Sequence, residues 1–187
     1  VADAAGAGLA RPGEEIPAWK ARWELARLLS YNKKLDQAAA QYRQLLKERP
    51  ELWEARAELA RVLSWAGKSR EALAELDKLP AGQAGAATLL LKADLLAGAK
   101  DYTGAAKLYQ RYLEDKPGDL AARFRLAQVL SWAKDYPASL EQYRLILKER
   151  PEDTQVRRHY AFVLSWSGQF DAAARELART LDEAPRD

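Results

Sequence analysis

No cysteine occurs in the 187-residue chain, which excludes disulfide frameworks, thiolate metal sites and cysteine nucleophiles. Methionine is missing too. A natural reading frame opens with Met, so a chain opening Val1-Ala2-Asp3 is expected to be a processed mature protein or a segment cut from a longer one, the segment being the favoured reading. His159 is the single histidine; a transition-metal site would need carboxylates alone around it, and a solvent-facing structural role is expected instead. No run of about 18 apolar residues and no charged-then-apolar leader are visible, so no membrane span or targeting segment is predicted within these residues. Charge of one sign is scarce: 30 Lys and Arg stand against 27 Asp and Glu, a formal +3 with no basic block. That balance argues against a nucleic-acid partner.

What the chain does contain is a 48% hydrophobic composition, enough for a core, and an internal repeat. Leu29-Ser30-Tyr31, Leu63-Ser64-Trp65, Leu130-Ser131-Trp132 and Leu164-Ser165-Trp166 recur at offsets of 34, 67 and 34 residues. The strings Leu46-Lys47-Glu48-Arg49-Pro50 and Leu147-Lys148-Glu149-Arg150-Pro151 repeat in the same phase. Aligning Pro50, Pro117, Pro151 and Pro185 gives five units, 19–52, 53–85, 86–119, 120–153 and 154–187, after an N-terminal linker or partial helix at 1–18.

Each unit carries two helical patterns. The first places apolar residues at unit positions 3, 7, 8, 10 and 11, as in Ala55, Leu59, Ala60, Val62 and Leu63, a stripe of helical period. The second does so with Ala38, Ala39, Tyr42, Leu45 and Leu46, or with Ser139, Leu140, Tyr143, Ile146 and Leu147. Turn-forming residues at 32–34, 67–68, 134–135 and 168–169 make the two helices antiparallel neighbours. Pro137 falls in the first turn of its helix, where no amide donor is needed. The second unit breaks off at Leu79-Pro80, which predicts a shortened second helix and a hinge over 80–85. The third unit has Ala97-Gly98 where the others have Ser-aromatic, and the last ends without a following polar helix, so its apolar face is expected to need a cover.

This arrangement resembles the tetratricopeptide repeat. Ala26, Ala60, Ala93, Ala127 and Ala161 stand at position 8 and Ala38, Ala72, Ala105, Ser139 and Ala173 at position 20, where that family prefers small residues; Tyr42, Tyr109 and Tyr143 match its aromatic near position 24. Lys92 departs from its usual leucine, and position 8 carries alanine where glycine is frequent. The resemblance implies an all-α, right-handed solenoid of about five helix-turn-helix repeats whose concave wall binds ligands.

On a helical wheel, positions 2, 5, 9 and 13 of the first helices lie opposite the apolar stripe. This face holds Trp23, Phe124 and Arg158 at position 5, Arg27, Arg61, Asp94, Gln128 and Phe162 at position 9, and Tyr31, Trp65, Trp132 and Trp166 at position 13. An exposed aromatic row marks a contact site, whereas aromatics packed sideways on the next repeat would only set the pitch; sequence weighs the two evenly. The recurring Arg22, Arg56, Arg123 and Arg157 at position 4 are expected to form inter-repeat salt bridges to acids such as Glu48 or Glu149. No catalytic residue, cofactor or metal is predicted: Gly6-Ala7-Gly8 lacks the preceding strand of a dinucleotide motif, and the repeated serines share one histidine.

The first expectation is a non-catalytic scaffold holding a peptide or protein partner. The Leu-Ser-Trp repeats are also similar in style to helical segments of bacterial exopolysaccharide export proteins of the outer membrane, which implies a periplasmic location, with the cytoplasm as alternative, and an acidic polysaccharide as partner. An architectural spacer or self-association segment is the third candidate. Open position-13 faces suit sugar stacking; packed ones suit the adaptor.

Overall fold

The computed structural model describes residues 15–80, 82–83 and 85–182. The Gly6-Ala7-Gly8 stretch, most of the N-terminal linker, Ala81 and Ala84 of the predicted hinge, and Pro185 lie outside the described residues. Ten helices and no strand occur among the described residues: α1 Ala18–Tyr31, α2 Leu35–Glu48, α3 Trp53–Trp65, α4 Ser69–Leu76, α5 Ala86–Gly98, α6 Tyr102–Asp115, α7 Leu120–Trp132, α8 Tyr136–Glu149, α9 Thr154–Trp166 and α10 Phe170–Asp182. They form an all-α solenoid of antiparallel pairs, α1 with α2, α3 with α4, α5 with α6, α7 with α8 and α9 with α10.

The chain divides into two compact units, Val1–Gln83 and Ala84–Asp187. In the first, α2 also packs on α3; in the second, α6 packs on α7 and α8 on α9. Thus α3, α7 and α9 each touch their own partner and the preceding second helix. The helix α4 has 8 residues where the other second helices have 13 or 14.

Close approach within a pair depends on the small residues. Ala26, Ala60, Ala93, Ala127 and Ala161 at position 8 and Ala38, Ala72 and Ala105 at position 20 are fully buried, and a larger side chain at these crossings would force the helices apart. Ser139 occupies position 20 without penalty because its hydroxyl donates to the Ala127 carbonyl at 2.7 Å. Around these crossings Tyr109, Tyr112, Leu126 and Val129 build one cluster, and Tyr143, Ile146, Val163 and Leu164 another.

The turn inside each repeat has one geometry throughout. Position 15, Lys33, Gly67, Lys100, Lys134 and Gly168, adopts φ between 59° and 83°, and the next amide donates back to position 11, as from Lys34 to Leu29 at 2.9 Å and Asp135 to Leu130 at 2.9 Å. This is the Schellman closure, which satisfies the last carbonyls of the helix. The residue after the turn starts the second helix; Asp101 and Asp135 cap α6 and α8 by accepting from the Gly104 and Ala138 amides. Asp119 and Asp153 do the same for α7 and α9.

At position 10, Val62, Leu95, Val129 and Val163 are buried, whereas Leu28 in α1 is 52% exposed. At the other end Phe170 and Leu181 of α10 are exposed. Apolar surface is therefore open on the first and last described helices.

Candidate functional site

The polar residues of the first helices divide into those tied to neighbours and those left open. Glu58 of α3 gathers three donors: Trp23 Nε1 at 2.6 Å, the Arg27 guanidinium at 2.8 Å and the Tyr42 hydroxyl at 2.9 Å. The hydrogen bond to Glu58 strengthens the hold of Arg27 on its proton. Burial, and then the Glu58 charge, push the Tyr42 phenol upward. In the second unit Asp94 of α5 accepts from the Tyr109 hydroxyl and from Arg125 of α7 at 2.6 Å; burial is again the first cause of the raised Tyr109 phenol, with Asp94 next.

Of the charged residues assigned to the binding face, Arg27 and Asp94 are therefore committed to bonds between repeats. Arg61 is exposed and enters no ion pair among the described residues. Arg158 is exposed, with Nε 3.5 Å from the Thr180 hydroxyl. Gln128 is half-buried, and its carbonyl accepts from Ser131.

Glu58 and Arg125 both stand at position 6, outside the set 2, 5, 9 and 13 although it lies about 60° from position 9 on the wheel. A signal was present: Arg27 and Glu58 are 31 residues apart, and Asp94 and Arg125 are also 31 apart with the charges exchanged. Scanning for opposite charges nearly one repeat apart would have found both pairs.

The aromatic residues separate in the same way. Trp23 is half-buried, with the Arg27 guanidinium carbon 4.7 Å from its ring. Phe124 packs edge-on against Tyr143, at 5.8 Å between centroids, and against His159 at 5.0 Å. Position 13 behaves differently: Tyr31 is 73% exposed, Trp65 55%, Trp132 48% and Trp166 56%. Three of the four have a ring or an ammonium as neighbour. Lys33 Nζ sits 5.6 Å from the Trp65 ring, Tyr102 lies 5.4 Å from Trp132, and the exposed Phe162 lies 6.3 Å from Trp166.

Two expectations are corrected. His159 does not face solvent; it is half-buried between Phe124 and a parallel Tyr143 ring, and burial lowers its pKa. The position-4 arginines do not seek acids of the neighbouring repeat. Each reaches position 23 of its own second helix: Arg22 to Gln41 at 3.1 Å, Arg56 to Glu75 at 2.7 Å, Arg123 to Gln142 at 2.9 Å and Arg157 to Glu176 at 2.8 Å. Arg56, Arg123 and Arg157 also donate to the carbonyls of Pro50, Pro117 and Pro151, the closing prolines of the repeats before them. The fork of guanidinium donors serves both directions at once, and a backbone carbonyl takes the place expected of an acid. Glu48 does stand 3.7 Å from Arg22, within the same repeat.

The repeated serines bond locally: Ser30 and Ser131 donate to the Arg27 and Gln128 carbonyls of their own helices. No group of three or more His, Cys, Asp or Glu suited to a metal occurs among the described residues, and no described helix is long and apolar enough to cross a membrane. The arrangement offers open surface and flat aromatic faces.

The tetratricopeptide repeat profile matches residues 29–95 and 96–156. No curated protein matches the chain in sequence. Among solved structures it is similar to YrrB, described as a TPR protein with an unusual peptide-binding site, at 19% identity and a TM-score of 0.80 over 90% of this chain and 93% of that one. It is also similar to MamA, at 16% identity and a TM-score of 0.79 over 88% and 91% of the two chains. A MamA segment from Desulfovibrio magneticus RS-1 gives 15% identity and 0.76 over 88% and 94%. At these identities the likeness extends to the fold.

Proposed function

The chain belongs to the tetratricopeptide repeat family, and from that premise we propose that it is a non-catalytic scaffold which holds a peptide or protein partner on the open faces of its first helices. The observation that carries this is the exposure of the position-13 aromatics, from 48% to 73%. Large flat side chains left this open are the usual anchors of protein interfaces, since they bury much area for little lost freedom. Members of the family work in general as interaction modules, and the peptide site named for YrrB supports the same reading. The test is affinity capture from the native organism with the parent chain and with its Trp132→Ala/Phe162→Ala/Trp166→Ala variant, folding checked by circular dichroism. Partners retained by the parent and lost by the variant are expected; an unchanged set would sink the proposal.

The same open faces favour a second reading, an acidic polysaccharide stacking on the indoles, which would suit a periplasmic protein. Titration calorimetry with acidic and neutral bacterial polysaccharides tests it; heat that is equal for the parent chain and for Trp65→Ala/Trp132→Ala removes the aromatic row from any such role.

A further inference from the structure

The turn residue at position 15 and the position-13 residue of the next repeat change together. Trp65 follows Lys33, Trp132 follows Lys100 and Trp166 follows Lys134, each pair 32 positions apart, while Gly98 follows Gly67. Gly168, the remaining turn residue, has no further repeat among the described residues. Lysine is thus kept at this turn only where a tryptophan comes next.

Nothing in the turn itself asks for lysine. Its φ values there are 59°, 66° and 64°, a left-handed conformation that glycine takes freely and a side chain with Cβ does not. Nor does the lysine serve to hide the indole, since all three tryptophans remain about half exposed. Lys33, Lys100 and Lys134 are exposed, and none forms an ion pair among the described residues. In the pair where contact is made, Nζ of Lys33 lies 5.6 Å from the Trp65 ring centroid. In that pair a cation therefore stands over a flat apolar ring with no carboxylate of the chain's own to satisfy it.

Resting on the scaffold reading above, we infer that each Lys–Trp pair is a seat for an acidic side chain of the partner with an apolar or aromatic neighbour, and that the bound segment is acidic. The ammonium supplies a charge-assisted hydrogen bond to the carboxylate. The neighbour covers the indole, and the water it displaces leaves that bond less screened. Lysine suits the role because its compact charge on a flexible stem meets a carboxylate from many directions, where arginine demands one plane. The seat occurs once in the first unit and twice in the second, so on the second unit a segment with two spaced acids is the occupant that uses it most fully.

The experiment binds the whole chain to an array of random short peptides. It is repeated with Lys33→Gln/Lys100→Gln/Lys134→Gln, which leaves the turn conformation no more strained than before, and with Trp65→Ala/Trp132→Ala/Trp166→Ala. A charge-matched control, Lys47→Gln/Lys107→Gln/Lys148→Gln, alters exposed lysines of the second helices. Peptides rich in Asp or Glu beside aromatic residues are expected to dominate, to bind about tenfold more weakly to the turn-lysine variant, and to bind the control as they bind the parent. Binding that needs the tryptophans but shows no acidic preference, or that survives the turn-lysine variant, overturns the inference and leaves the scaffold reading standing. An absence of peptide binding, or binding indifferent to the tryptophans, brings down both. Oligogalacturonate that displaces the acidic peptides and matches their affinity overturns the peptide assignment in favour of an acidic sugar.

Discussion

At the scale of single residues, the left-handed turn position makes opposite demands on its two occupants. Lys134 holds φ 64° and Gly67 φ 75°, and nothing lies within 4 Å of a Cβ built on Gly67, so the penalty for a side chain there is one of backbone alone. Lys134→Gly is expected to raise stability by about 1 kcal/mol and Gly67→Ala to lower it by about as much, read as opposite shifts of the urea midpoint. Equal midpoints would mean the turn relaxes at no cost. Glu58 is a sharper case. Its side chain is 20% exposed and that of Arg27 23%, so Glu58→Ala strands a guanidinium, a phenol and an indole N–H that are partly shielded from water; a loss of about 2 kcal/mol is expected. The parallel measurement is Trp23 emission, which should change with the loss of its acceptor and remain unchanged in a Glu24→Ala control. The left-handed lysines were hard to foresee, because lysine is no turn former and only the alignment of five repeats sets Gly67 and Gly168 in its column. Glu58 is hidden from a wheel of one helix, since its partners Trp23, Arg27 and Tyr42 come from a different repeat, and only the spacing of opposite charges between repeats points to it.

At the scale of helices, the two units cap their helix starts differently, apart from α5, whose Gly85 also lacks a side-chain cap. In the second, Asp101, Asp119, Asp135 and Asp153 each place a carboxylate on the amide of the third residue onward; in the first, Pro17, Lys34, Leu52 and Lys68 hold the equivalent places with no side-chain cap. A cap satisfies an amide that the helix cannot, so Asp135→Ala should cost about 1 kcal/mol, and Lys34→Asp should add about as much to the first unit. Thermal melts followed by circular dichroism check both, and a Lys34→Asp chain no more stable than the parent would show that the α2 amides are already served by water. Asp119 adds a pH dependence. The Ala122 amide and then the Tyr112 hydroxyl hold its carboxyl below the ordinary 3.8, so its contribution is complete above that value and fades as pH falls through the lower folded one. Helix pairing was legible in the sequence because alanine and serine recur at the crossing positions and a wheel needs only periodicity. Which face residues stay open was not legible: Trp23 and Trp65 differ in exposure through what the neighbouring repeat brings to them, and a wheel of one helix contains no neighbour.

Across the whole molecule, the most general consequence lies in the tyrosines at position 24. Tyr42 stands in the first unit and Tyr109 and Tyr143 in the second, all three buried, and burial raises every one of these phenols above the ordinary 10.0, helped at Tyr42 by Glu58 and at Tyr109 by Asp94. The sign follows from proton counting. Below the ordinary value, folded and unfolded chains both keep the phenol protons and stability is untouched. Above it the unfolded chain releases them while the folded chain retains them, so the unfolded state gains and stability falls as pH rises towards the folded values. Both units carry such a residue, so neither is exempt, and helical ellipticity is expected to decline above pH 10 in step with a late rise of tyrosinate absorbance. Tyr143→Phe isolates the effect. Burial raises the Tyr143 phenol, and its ring packs on Phe124 and His159, contacts that phenylalanine can keep. The variant should therefore hold its helices to higher pH than the parent while matching it near neutrality. If parent and variant lose ellipticity at the same pH, alkaline unfolding is driven by something other than the position-24 phenols.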